Sequence, residues 1–397
     1  MGHKQINATS NNGRRAFLKG TVPVMATAFI PGIASANNED KGPQPSFPGL
    51  IIREKEPVNF EFPFPMLSSI ITPNNQFFIR THFPIPRLKA KEWEVRIGGH
   101  VNKEITLSYD ELRALPAKKV MATLECAGNG RANLAPKVKG LLWEQGAVGN
   151  AEWTGVPLSV VLEKAGIKPG AVEIILEGAD KGEVSEEPKS PGAIHFARSL
   201  PLTKAMQAEV ILAYQMNGKD LSPEHGYPVR AIIPGWYGMA SVKWLTKITA
   251  VNKPFDGYWQ TLEYAYWKRT DDQPTLTAVT EVQVKAEIAR PALSEVIPAG
   301  KTYRVHGAAW CGENEITKVE VSFDEGVTWK PAKLLGKHGK FAWRLWEYNW
   351  QVPAGDSQYK LMSRATDSQG NTQPMEHDKD RRTYMVNKIV TVKIEAR

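Results

Sequence analysis

The sequence predicts an α+β domain followed by an all-β, immunoglobulin-like sandwich, and three observations carry that reading. Between residues 76 and 270, strand-like and helix-like segments mix without a strict βαβ rhythm, which favours α+β over a doubly wound sheet. No G-x-G-x-x-G follows a strand, so a nicotinamide-binding unit is not indicated. Beyond Asp271, short alternating runs recur with turn signals between them, as a sandwich of about 100 residues requires.

The elements follow in order. Gly13-Arg14-Arg15-Ala16-Phe17-Leu18-Lys19 resembles a twin-arginine signal, Thr21 to Ile33 is mildly apolar, and Ala34-Ser35-Ala36 supplies an A-x-A cleavage site. The apolar stretch holds Pro23, Pro31 and Gly32 and is too short to span a bilayer. Residues 1–36 are therefore expected to be a cleaved signal peptide, with the mature protein in the periplasm and no stable membrane insertion. Residues 37–75, rich in Pro and Asn, read as an irregular arm. Phe77 to Arg80 and Trp93 to Ile97 read as strands, the second with clear alternation. Ser108 and Glu111 form a capping-box pattern that starts a helix. Val120 to Leu124 reads as a buried strand, Leu158 to Ala165 as a helix ended by Gly166, and Val172 to Leu176 and Val210 to Tyr214 as strands. Asp271-Asp272-Gln273-Pro274 reads as a linker, dividing a catalytic domain, 76–270, from a sandwich, 271–397. In the sandwich, Lys318 to Phe323 alternates, Asp324-Glu325-Gly326 turns and Val327-Thr328-Trp329 returns; Tyr359 to Ala365 and Ile389 to Ile394 are further strands.

Composition excludes several classes. With 42% hydrophobic and 23% charged residues in 397, the chain can bury a large core and is not disordered. The net charge of +8 includes Lys4, Arg14, Arg15 and Lys19 of the expected signal. The remaining excess is mild and dispersed, so nucleic acid is not an indicated partner. Cys126 and Cys311 are the two cysteines, which can make at most one disulfide and no Cys-rich zinc site.

The chemistry concentrates in Ala122-Thr123-Leu124-Glu125-Cys126-Ala127-Gly128-Asn129-Gly130-Arg131. A lone Cys ends a buried strand, and two Gly and an Asn then permit a tight turn. Arg131 follows, and a neighbouring cation favours thiolate, a soft ligand for metals that also take sulfur. The bland reading is a buried Cys acting as a small hydrophobe.

Cys-Ala-Gly-Asn-x-Arg resembles the molybdenum loop of the sulfite oxidase family. The likeness extends to Phe78-Ile79-Arg80-Thr81-His82, Lys139-Gly140-Leu141-Leu142-Trp143, His225-Gly226-Tyr227-Pro228-Val229-Arg230, Pro234-Gly235-Trp236-Tyr237-Gly238, Ser241-Val242-Lys243-Trp244 and Trp259-Gln260 with Glu263-Tyr264. Val319-Glu320-Val321-Ser322 and its hairpin resemble the family's dimerisation domain. The resemblance implies that Cys126 ligates molybdenum carried by a pyranopterin dithiolene (molybdopterin). It implies that Arg80, Arg131 and Tyr264, with Lys139 and Trp143 on the wall, hold a small sulfur oxyanion such as sulfite. It implies that His82, Asp180, His225, Arg230, Ser241 and Lys243 bind the pterin or its phosphate. Guanidinium and ammonium groups suit oxyanions and phosphate; the ordinary alternatives are surface salt bridges for the arginines and a satisfied buried His225.

The chain lacks the cytochrome b5 domain that vertebrate relatives carry, and no C-x-x-C-H haem site occurs. Electrons are therefore expected to pass to a separate acceptor such as a periplasmic cytochrome c. A homodimer is implied by the C-terminal resemblance, where Lys388 is a weak candidate for a further cation near the substrate. The leading reading is periplasmic oxidation of sulfite to sulfate. A sulfane-sulfur dehydrogenase of a thiosulfate-oxidising complex is the nearest alternative, and a non-enzymatic periplasmic binding protein the alternative of another class.

Overall fold

The computed structural model describes residues 47–336 and 339–397, so the expected signal peptide and the first part of the arm lie outside the described residues. The described chain is mostly β with few helices. The α+β expectation is corrected accordingly: the α-helices are Tyr109–Arg113, Leu158–Ala165 and Leu202–Ala205. The expected capping box starts the first, with Ser108 Oγ accepting from the Glu111 amide. Gly166, at φ +69, ends the second as expected.

Two five-stranded sheets build the first half. One runs in the order Lys219–Asp220, Ile211–Met216, Val148–Pro157, Lys118–Glu125, with Arg230–Ile232 also pairing Ile211–Met216. The other runs Ile105–Ser108, Glu94–Gly99, Leu245–Val251, Glu173–Gly182, Ile194–Pro201; its one parallel pair joins Leu245–Val251 to Glu94–Gly99. Glu94–Gly99 alternates as its sequence requires, with Val95 and Ile97 buried between exposed Glu94 and Arg96. Lys118–Glu125 is instead buried over its second half on both faces, which explains its unbroken apolar character.

Two expectations fail here. The arm is not wholly irregular: Ile51–Glu54 and Asn59–Glu61 pair, and Ile79–Arg80 completes a three-stranded sheet. Asp271–Pro274 is not a linker. Asp271 and Asp272 (φ +50 and +59) form the two-residue turn of a hairpin between Ala265–Thr270 and Gln273–Ala278, the left-handed pair that a type I′ turn demands.

Two sheets build the second half: Lys285–Arg290, Thr302–Trp310, Arg344–Gln351, Lys333–Leu335, and Val296–Ile297, Val392–Ala396, Ser357–Asp367, Ile316–Ser322, Lys330–Pro331. Their facing sides share a core that includes Ile288, Val305, Val319, Leu361 and Trp346. The turn after Ser322 is longer than expected, because Asp324 binds the Thr328 amide at 2.9 Å and its hydroxyl; the strand returns only at Lys330. The halves are not separate bodies. Trp310, Trp343, Tyr384 and Met385 from the second half belong to the main core of the first.

Candidate active site

Strand Lys118–Glu125 delivers Cys126 to the wall of a cavity. The loop behind it is fixed by backbone bonds: the Cys126 amide donates to the Ala147 carbonyl at 2.8 Å, and the Asn129 amide to the Cys126 carbonyl at 2.9 Å. Asn129 Oδ1 accepts from the Ala147 amide. Gly130 turns the chain at φ +88, a conformation open to glycine at little cost. Cys126 is 7% exposed. Burial pushes its thiol up; among the opposing cations Arg80 outweighs Arg131. The sequence reading assigned that influence to Arg131, the nearer residue in the chain. Both cysteines are free; Cys311 Sγ donates to the Asn314 carbonyl.

The cavity gathers Arg80, His82, Cys126, Asp180, His225, Arg230, Ser241, Lys243 and Tyr264 from segments far apart in sequence. Burial lowers Arg230 to about 9, and its guanidinium donates to the His225 and Ser241 carbonyls, both at 3.0 Å. Lys243 donates to the Glu224 carbonyl at 2.8 Å; burial and then Arg230 hold its ammonium well below the ordinary range. Burial raises Asp180 to about 7 against the pull of Lys243. Burial drops His225 to about 3, and its Nε2 bonds the Asn74 carbonyl. His82 lies stacked on Phe196 and 2.6 Å from the Tyr264 hydroxyl. Burial, Arg80 and Lys243 keep His82 neutral, while burial pushes the Tyr264 phenol up. Arg80 donates to Asn59 Oδ1 and to the Thr81 carbonyl.

Three expected wall residues are not brought to the cavity. Arg131 donates to the Leu141 carbonyl at 3.0 Å and the Thr383 carbonyl at 3.2 Å, and lies over the Tyr384 ring. The first of these carbonyls lies ten residues along the chain and the second 252. Lys139 points to solvent on the exposed 135–140 stretch. Trp143 is fully buried in the cluster with Phe77, Ala122 and Cys126, packing behind the thiol rather than lining the cavity. Lys388 is also absent from the lining. Sequence reasoning missed Glu224, whose position beside His225 was a usable signal, and Phe196, which no motif marked.

The donor set fits a bulky anion carrying a sulfur-seeking metal. Arg80, Arg230 and Lys243 face Asp180 and Glu224, and one of these carboxyls, Asp180, is driven toward its neutral form by burial. Glu224 Oε2, on the cavity lining, is buried without a hydrogen-bond partner among the described residues. Among the described residues no three His, Cys, Asp or Glu side chains converge as a metal cage.

Comparison with known proteins agrees. Residues 82–259 match the oxidoreductase molybdopterin binding domain, and residues 276–397 the Mo-co oxidoreductase dimerisation domain. Sulfite oxidase of Gallus gallus is 35% identical over 87% of this chain and 77% of its own length. The mitochondrial sulfite oxidase of Rattus norvegicus is 34% identical over 82% of this chain, which spans 62% of that protein. The solved sulfane dehydrogenase SoxCD of Paracoccus pantotrophus superposes with a TM-score of 0.75 at 29% identity, covering 85% of this chain and 84% of its own. The matched domains define a molybdopterin oxidoreductase, in which the cavity lined by the buried thiol also gathers Arg80, Arg230 and Lys243. The chain belongs to the sulfite oxidase family.

Proposed function

We propose that the protein oxidises sulfite to sulfate in the periplasm and passes the electrons to an external acceptor such as a cytochrome c. The observation that carries the reading is Cys126 standing in the wall of a cation-lined cavity. When bound, the molybdenum cofactor supplies the two-electron redox chemistry. Cys126 would ligate the metal. Arg230 and Lys243 would hold the cofactor's phosphate, with His225, Ser241, Asp180 and His82 around the pterin. The forked donors of Arg80 and the hydroxyl of Tyr264 would orient a small oxyanion beside Cys126. Neutral His82 accepts a proton-sharing bond from Tyr264, so the phenol is aimed before substrate arrives. Export by the twin-arginine signal, and a homodimer formed through residues 271–397, complete the proposal. The two sheets of that half have the A-B-E-D and G-F-C strand orders of an immunoglobulin-like sandwich, which supports that reading of the dimerisation domain.

The test is sulfite-dependent reduction of cytochrome c by molybdenum-loaded protein, with Cys126→Ser as control. Turnover in the wild type and none in the variant is expected. A molybdenum-containing wild type without sulfite turnover rejects the substrate. In that case a sulfane-sulfur dehydrogenase takes its place, favoured by the likeness to SoxCD.

A further inference from the structure

The C-terminal half contributes a buried cation to the back of the Cys126 loop. Lys285 opens strand Lys285–Arg290 and is 1% exposed. Its Nζ lies 3.1 Å from Glu125 Oε1 and 3.5 Å from Glu287 Oε1. Glu125 is the residue before Cys126 and is equally buried. Its carboxylate also accepts from Asn129 Nδ2 at 3.0 Å and from Trp310 Nε1 at 2.8 Å. Asn129 in turn holds the Ala147 amide, and the Ala147 carbonyl holds the Cys126 amide. The ammonium also packs beneath the turn: a Cβ on Gly130 would stand 3.3 Å from Lys285 Nζ. Glu287, on the far side, is steadied by Gln145 Nε2 at 2.8 Å. One lysine therefore serves two buried carboxylates, and one of them organises the loop that carries the thiol. An ordinary structural ion pair has no reason to lie across the seam between the two halves, directly behind a metal ligand. Buried charge is costly unless fully paired, so removing this cation loosens that loop.

We propose that Lys285 is a positioning residue for Cys126: from the C-terminal half it fixes the Glu125 carboxylate, and with it the Cys126–Gly130 turn, so that the thiolate meets the metal in a single geometry. The inference rests on Cys126 as metal ligand and not on the identity of the substrate.

The test compares full-chain, molybdenum-loaded wild type with Lys285→Met, Lys285→Arg and Trp310→Phe. A sandwich-core variant, Val319→Ala, controls for lost stability. The readouts are the sulfur-to-metal charge-transfer absorption, recorded without substrate, and the split between kcat and KM. Lys285→Met should shift and broaden the band and lower kcat at least 10-fold with KM within 3-fold. Lys285→Arg should restore most of both. Trp310→Phe, which removes one donor to Glu125 and keeps the aromatic bulk, should shift the band in the same direction by less. Val319→Ala should leave band and kcat as in wild type. If Lys285→Met does not fold, Trp310→Phe decides. An unshifted band in either folded variant overturns the proposal. Loss of sulfite turnover in the wild type would sink the substrate while this test stands. A charge-transfer spectrum left unchanged by Cys126→Ser, in which only the cofactor's own sulfurs would remain to absorb, would overturn the ligand assignment and this proposal together.

Discussion

Replacing Arg230 by Met should leave the cofactor-free protein near wild-type stability and make the loaded protein less stable. Arg230 is 5% exposed, and no carboxylate is among its hydrogen-bond partners. Burial takes it from 12.5 to about 9. A guanidinium stays protonated at neutral pH, so the fold carries the whole cost of burying the charge, about 5 kcal/mol at about 1.4 kcal/mol per pH unit. Methionine has a comparable reach and fills irregular space. It also leaves the His225, Ser241 and Ala231 carbonyls without their donor, and an unpaired buried acceptor costs about 1–3 kcal/mol. The two effects offset each other to within a few kcal/mol, so the Tm of the cofactor-free variant should stay near that of wild type. In the loaded protein, on the proposed assignment, the cofactor's phosphate would compensate the charge, and the variant would forfeit that charge-assisted contact. The assay is thermal unfolding of both proteins with and without cofactor, together with molybdenum content. A variant destabilised equally in both states would refute the reasoning, since Arg230 would then be an ordinary structural residue.

Three further outcomes are expected. His225 stays neutral in the fold down to about 3 but titrates near 6.5 when unfolded. Between those values the unfolded chain binds the extra proton, so stability falls as pH drops below about 6.5. His225→Gln should flatten the decline, as read from Tm against pH; an unchanged slope would remove His225 as its source. Ser108→Ala breaks the capping box and should cost about 1 kcal/mol by denaturant titration, with molybdenum content and turnover unchanged. Gly130→Ala forces a side chain into φ +88 and against Lys285 and Val386. It should lose about 1–3 kcal/mol and most bound molybdenum, whereas full metal retention would contradict the tight turn described.

Local signals were legible in the sequence wherever one segment decides its own structure. The helix Leu158–Ala165 ends where Gly166 permits a left-handed step, and the buried strand leads into Cys126 as its apolar run implies. Arg80, Arg230 and Lys243 were singled out because their motifs resemble those of the sulfite oxidase family, and all three line one cavity. What failed depends on partners elsewhere in the chain. Asp271-Asp272 reads as a polar linker because no Gly marks the turn; only the pairing of Tyr266 with Thr277 and Trp267 with Leu276 makes it a hairpin. Arg131 was placed in the pocket by the resemblance of its Cys-Ala-Gly-Asn-x-Arg motif to the family's molybdenum loop. Its side chain follows the carbonyls of Leu141 and Thr383, the second of them 252 positions away. Trp143 is apolar bulk that the space behind the thiol absorbs completely.

The same long-range contacts bear on what the C-terminal half does. A module that served association alone could join the catalytic half through a few surface contacts. Here the Thr123 amide donates to the Phe341 carbonyl at 2.9 Å, and the Trp343 amide to Thr123 Oγ1 at 2.8 Å, three residues before Cys126. The Met385 amide donates to the Ala127 carbonyl at 2.8 Å, one residue after it. Strand and loop are thus gripped from the second half on both sides of the ligand. Buried backbone groups need such partners, since an unmade bond there costs more than a made one contributes. The Cys126 geometry therefore depends on contacts made by Phe341, Trp343 and Met385, and a perturbation at those positions reaches the thiol through at most three residues of backbone.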